Sequence, residues 1–242
     1  MKEFDLYRDG YNESINKAIA FSGQTQAFYT EVKARYLLEL FGRIQQRKRA
    51  GMVTGSNGAG PLEVLDVGCG QGLVHPFLRS IETSLRLTGV DVAGEVIDEA
   101  RRTHPFVHYD IYEGKRLPYA EESFDAAFAI AVMHHVPPKD WAAFVSEMRR
   151  VVRKGGYISV IEHNPNNPLT QWVVNNCRFD DNAVLLRSGR LARLLRNAGL
   201  VDIERRYILF TPFGGTFFRT LEDKLYWVPL GAQYCMAARV PV

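Results

Sequence analysis

From Leu62 onward, short apolar runs alternate with amphipathic stretches. Leu62–Val67, Leu85–Val90, Phe106–Tyr109, Phe124–Ile130 and Tyr157–Glu162 are apolar runs of strand length, bounded by turn residues. The segments between them carry helical spacing: one reaching Ile81, one from about Gly94 to Arg102, and one from Lys139 to Val152. Lys154-Gly155-Gly156 reads as the turn into the fifth strand. After it the rhythm breaks over residues 163–186, an asparagine- and proline-rich insert that reads as part of a substrate pocket. It resumes with a helix at 189–197, strand six at 200–210, an aromatic segment at 211–231 and a last strand near 232–240. Alternating strands and helices imply a mostly parallel sheet with helices on both faces.

Upstream, residues 1–50 read as helical. Phe28, Val32, Tyr36, Leu37 and Leu40 share one face of TQAFYTEVKARYLLELFGRI. GMVTGSNGAGP (51–61) has the composition of a flexible linker. The expected organisation is therefore an N-terminal helical cap and linker over 1–60 and a core over 61–242. The basic run Arg43–Arg49 reads as a solvated helix end.

The chemistry concentrates where the first strand ends. In VLDVGCGQG the run closes on Asp66, and Gly68, Gly70 and Gly72 follow at alternate positions. Glycine lets the chain turn tightly and lets a ligand approach the backbone. The following helix start offers N–H groups to that ligand. This is a nucleotide-type turn. NAD is disfavoured, because its fingerprint wants glycine or alanine where Leu73 stands, and no second glycine-rich half follows.

D-x-G-x-G-x-G over 66–72, with Asp91 at the end of strand two and LPYAEESFD at 117–125, resembles the class I S-adenosylmethionine-dependent methyltransferases, type 11-like members included. The resemblance runs from about Leu62 to the C-terminus. It implies a Rossmann-like seven-stranded sheet with an antiparallel last strand, and S-adenosylmethionine as cofactor, released as S-adenosylhomocysteine. It further implies Asp91 on the ribose hydroxyls, Val92 on the adenine, and Asp110 accepting from the adenine amine with Ile111 flanking the ring. Asp66 would meet the methionine ammonium, and small residues around Ala129–Ala131 would line the methionine side. Gly68, Cys69, Gly70 and Gly72 form the turn itself, with Cys69 a small filler rather than a nucleophile. Asp91 as a plain helix cap and Asp66 as a loop anchor are the competing structural roles.

Methyl transfer gains most from holding acceptor and methyl in line. A base helps when the acceptor must lose a proton. His134, Glu162 and His163, at the carboxyl ends of strands four and five, are the candidates for that work. Tyr29, Lys33, His135, Asn164 and Asn167 are candidates to meet the substrate. Tyr7, Tyr11 and Phe21 join Tyr29 and Lys33 as a possible lid, or all pack as an ordinary helix on the sheet. No metal is expected, since the spacing lacks a zinc or iron pattern and adjacent His134 and His135 should point apart.

Composition narrows the acceptor. At 46% hydrophobic and 24% charged, with net charge +3, the chain is ordinary for a globular protein and does not demand nucleic acid. No N-P-P-Y or D-P-P-Y tetrapeptide follows strand four. A small-molecule acceptor is expected, methylated at oxygen, nitrogen or carbon, with apolar and aromatic pocket walls that suit a lipid-linked, polyketide or sugar-derived compound. The alternatives are an RNA or protein methyltransferase, or a non-catalytic binding partner with the same fold. Three scattered cysteines and a charged N-terminus without an apolar core suggest a reducing cytoplasm. No run approaches the ~20 apolar residues of a membrane span. Monomer and homodimer both remain open.

Overall fold

The computed structural model describes residues 18–81, 84–177, 180 and 182–242. Tyr7 and Tyr11 lie outside the described residues. The strands are β1 (Leu62–Val67), β2 (Leu85–Asp91), β3 (His108–Ile111), β4 (Phe124–Ile130), β5 (Val152–His163), β6 (Val201–Ile208) and β7 (Gln233–Arg239). They form one sheet in the order β3-β2-β1-β4-β5-β7-β6. The first five run parallel, and β7 is antiparallel to both β5 and β6. Strand order reverses between β1 and β4, so their carboxyl ends open the crevice where α/β sheets bind ligands.

Burial explains the strand sequences. β4 reads FDAAFAI and is covered on both faces, as a central parallel strand must be. β6 sits at the edge, reads VDIERRYI and leaves most of its residues accessible, the charged edge that discourages further pairing. The helices are α1 (Gln26–Arg49), α2 (His75–Ile81), α3 (Gly94–Thr103), α4 (Trp141–Val151), α5 (Pro168–Asn175), α6 (Ser188–Asn197) and α7 (Thr216–Leu225). Trp141, Val145 and Met148 of α4 and Leu191 and Leu195 of α6 fill the core on one face. Leu37, Phe41 and Ile44 of α1, Leu78 of α2 and Ile97 of α3 fill the other.

Four segments differ in detail from the sequence reading. The basic run at the end of α1 is not all solvated: Lys48 is buried, its Nζ 2.6 Å from Asp125 Oδ2 and 2.6 Å from the Pro61 carbonyl. Asp125 also takes Arg153 at 3.0 Å, so the buried carboxylate is shared by two cations. The 51–61 segment is pinned to the body, with Thr54 N–H on the Lys154 carbonyl at 3.0 Å. Lys154-Gly155-Gly156 lies inside β5, where the pairing with β4 shifts register. Gly155 (φ 82°) passes so close to the Met52 backbone that a Cβ would collide with it. The aromatic segment after β6 contains α7, none of whose residues is buried.

Candidate active site

All three motif glycines have positive φ, 76°, 52° and 70°, but they serve different ends. A Cβ on Gly68 would strike the Val132 methyls, and one on Gly72 would strike Tyr109 and His75. Around Gly70 there is open space. Two glycines are thus needed for packing, and the middle one leaves room beside the backbone. That room belongs to a cavity of about 660 Å³, within the ~300–1,000 Å³ of small-molecule sites.

Asp91 lies on the cavity wall beside the glycine turn. Its Oδ2 accepts from Gly70 N–H at 2.8 Å and its Oδ1 from Ala93 N–H at 3.0 Å. It therefore ties the glycine turn to Ala93, the residue that leads into α3. Asp66 is buried and bound by His75 Nε2 at 3.0 Å, while His75 Nδ1 meets Tyr109 Oη at 2.7 Å. Burial raises the Asp66 pKa, against the pull of His75. The Cys69 thiol is pushed well up by burial and by Asp66 and Asp91, which agrees with a filler.

Ala131, just past β4, is held at φ 55° by Ala131 N–H on the Ile161 carbonyl at 2.8 Å. Left-handed backbone on a residue with a Cβ carries strain. It leads into the 3₁₀ turn Met133–His135. Glu162 Oε1 accepts from Val132 and Met133 N–H at 3.0 and 2.6 Å, and Oε2 accepts from His134 Nδ1 at 2.7 Å. His134 Nε2 and His135 Nε2 then converge on Asp180 Oδ1, at 3.4 and 3.6 Å. The two rings lie 4.1 Å apart. The expectation that they point apart fails, because the tight turn brings the rings together with their planes tilted by 47°, and both Nε2 atoms face Asp180 of the insert.

The electrostatics separate the three imidazoles. Burial would lower the His134 pKa, but Glu162 and Asp180 outweigh it and hold it at about 10. His135 and His163 are pushed down to about 4, by burial and then by the charged His134. At neutral pH His134 is an imidazolium between two carboxylates, and its two neighbours are neutral.

The cavity wall includes Asp66, Gly68, Cys69, Gly70, Asp91 and Val92 at one end and Tyr29, Lys33, His134, His135, His163 and Asn167 at the other. Six expected residues stand outside it. Glu162 is wholly buried behind His134, and Gly72 lies under Tyr109. Ala129 points into the core because strand residues alternate faces. Asp110 is occupied by Tyr119 Oη at 2.9 Å and His108 Nε2 at 3.0 Å, and Ile111 is half-exposed. Asn164 ties the Pro229 and Gly231 carbonyls at 3.1 and 2.8 Å. Asn167, though on the wall, is the N-cap of α5: Oδ1 accepts from Thr170 N–H ahead of Pro168.

His75, Tyr112 and Asp180 take part without having stood out in the sequence. For Asp180 the only sign was its place in the irregular 163–186 stretch. Near the mouth, Phe21 packs edge-on against Trp172, centroids 5.7 Å apart.

Residues 65–160 match the family model described as a methyltransferase domain. The chain is 31% identical over 111 residues to a fatty-acid O-methyltransferase of Mycolicibacterium smegmatis, covering 45% of this chain and 40% of that protein. It is 35% identical over 106 residues to methyltransferase GfsG of Streptomyces halstedii, covering 41% and 37%. The chain thus spans about two fifths of the length of these relatives. Among solved structures, a possible histamine N-methyltransferase of Thermotoga maritima superposes with a TM-score of 0.65 at 19% identity, over 98% of this chain and 97% of that one. Residues 65–160 are thus similar to a methyltransferase domain, and the chain as a whole shares the fold of the solved S-adenosylmethionine-dependent methyltransferase from Thermotoga maritima.

Proposed function

We propose that this chain methylates a small, elongated, partly apolar molecule, with S-adenosylmethionine as donor. One observation carries the reading: a single cavity runs from the open side of Gly70 and Asp91 to Lys33, His135 and His163. Donor and acceptor can therefore meet without crossing solvent. When bound, S-adenosylmethionine supplies a methyl carbon on a sulfonium that is itself the leaving group. Asp91 and the Gly70 turn hold its nucleoside end, and Ile130 and Ala131 wall the space between the two ends.

At the acceptor end, Phe21, Leu169, Val173, Phe210 and Pro212 give an apolar approach. This supports a lipid-like or polyketide-like acceptor, in keeping with relatives named for fatty acids and for phthiotriol dimycocerosates. The burial of Lys33 lowers its pKa to about 8 despite the pull of Glu162, leaving it mostly cationic at pH 7 for a polar head.

His163 is the group we assign to take the acceptor's proton. It faces the cavity and is neutral. Gln233 Nε2 lies 3.4 Å from His163 Nδ1 while Gln233 Oε1 is buried without a partner. Rotating that amide lets His163 Nδ1–H donate to Oε1 and leaves the lone pair on Nε2. Glu162 acts through His134 as a positioning residue.

Titration calorimetry should show one S-adenosylhomocysteine bound per chain and none of NAD. A labelled-methyl screen over lipid extracts, metabolite pools and RNA should label the lipid fraction. Absence of S-adenosylhomocysteine binding would overturn the reading, and label confined to RNA would overturn the acceptor class.

A further inference from the structure

We propose that His134, His135 and Asp180 bind a divalent first-row transition-metal ion at the acceptor end of the cavity. Among the described residues these three offer donor atoms that all lie within 4.8 Å of one another. The Nε2 atoms of His134 and His135 are 3.4 and 3.6 Å from the same Asp180 oxygen. Ligands at ~2.0–2.2 Å from a zinc-like ion stand roughly 3.0–3.5 Å apart around a tetrahedral or octahedral centre. Two of the edges are therefore already near coordination length. The remaining closure falls to the His135 side chain, which is 21% exposed and can turn.

The surroundings fit as well. Glu162 grips Nδ1 of His134 and is itself held by two backbone N–H groups. A carboxylate behind a histidine ligand fixes the ring and points Nε2 forward, and the ion would take the place of the Nε2 proton, which leaves to solvent. Two imidazoles and one carboxylate suit a transition metal with open positions rather than magnesium or calcium, which prefer all-oxygen sites. All three residues line the cavity, which supplies the entry path and space for further ligands.

The metal's role rests on the methyl-transfer reading; its binding does not. An acceptor oxygen on the open position would have its O–H weakened. That proton would pass to His163 Nε2, breaking O–H and forming N–H with no change of oxidation state.

The test uses the tag-free full chain, stripped with chelator and then titrated with Co²⁺ and Zn²⁺ by visible absorption and calorimetry. One equivalent of Co²⁺ should bind with ligand-field bands, and Zn²⁺ should displace it. His135→Ala and Asp180→Asn should each weaken binding by at least about 100-fold, the upper end of what losing even an outer-shell partner costs. Cys177→Ser should bind as the parent does, since that buried thiol lines the same cavity. S-adenosylhomocysteine affinity, measured on the same samples, reports that the variants are folded and tests the methyl-transfer reading separately. No uptake by the parent chain, uptake unaltered in both His135→Ala and Asp180→Asn, or uptake lost in Cys177→Ser would each overturn the proposal. Metal binding without S-adenosylhomocysteine binding would leave the site standing and remove the role.

Discussion

Nδ1 of His134 stands 2.7 Å from Oε2 of Glu162, both side chains essentially excluded from solvent. The pair joins the loop after β4 to the end of β5, and the other Glu162 oxygen anchors the backbone of the same loop. An ionised carboxylate can stay buried there because every strong partner it needs is preformed.

Removing that carboxylate should therefore be costly. Glu162→Ala strands an imidazolium and two N–H groups, and should lower unfolding free energy by about 3–5 kcal/mol. Urea unfolding checks this, and a loss below about 1 kcal/mol would contradict the anchoring role.

The same cluster sets a pH window for stability. His134, raised to about 10, contributes stability that is fully present below the ordinary histidine value near 6.5 and is lost as pH rises toward 10. His135 and His163, lowered to about 4, act oppositely: their neutral forms are favoured in the folded chain, so stability falls as pH drops from about 6.5 toward 4. Melting temperature of the metal-stripped chain should peak near neutrality. In His134→Gln the decline on the alkaline side should flatten. An unchanged alkaline limb would refute the assignment.

The glycines should separate by role. Gly70→Val meets open space, so the chain should fold, at a cost of roughly 1–2 kcal/mol for left-handed backbone, and fail to bind S-adenosylhomocysteine. Gly72→Ala drives a Cβ into Tyr109 and His75 and should damage folding itself. Normal binding by folded Gly70→Val would remove the turn from the cofactor site.

Asp91→Ala should weaken S-adenosylhomocysteine binding by ~1.5–3 kcal/mol, the scale of hydrogen bonds to a charged group, or roughly 10- to 150-fold in Kd. Asp91→Asn keeps one acceptor oxygen and should fall between. Calorimetry on the folded variants reads both, and unaltered affinity in Asp91→Ala would sink the ribose assignment.

For catalysis, His163→Gln should reduce turnover of the identified acceptor by about 10²- to 10⁴-fold at saturating donor, with S-adenosylhomocysteine affinity kept. Turnover within a few-fold of the parent would show that positioning alone suffices.

The sequence by itself determined what local chemistry encodes. Apolar runs of strand length, helical spacing between them and glycines at 68, 70 and 72 each state a backbone preference that holds in any context. The parallel sheet, the turn and Asp91 at its lip were legible for that reason. Only the tertiary structure decided which polar groups meet. Lys48 looked like part of a solvated run until the fold brought Asp125 to it across 77 positions, and Asp180 joined His134 and His135 only when the insert folded back over the ends of β4 and β5. Such encounters depend on long-range packing, which leaves no period in the chain. They also decide protonation, since His134 is raised to about 10 between two carboxylates while His163 is lowered to about 4 by burial and by the neighbouring His134 cation.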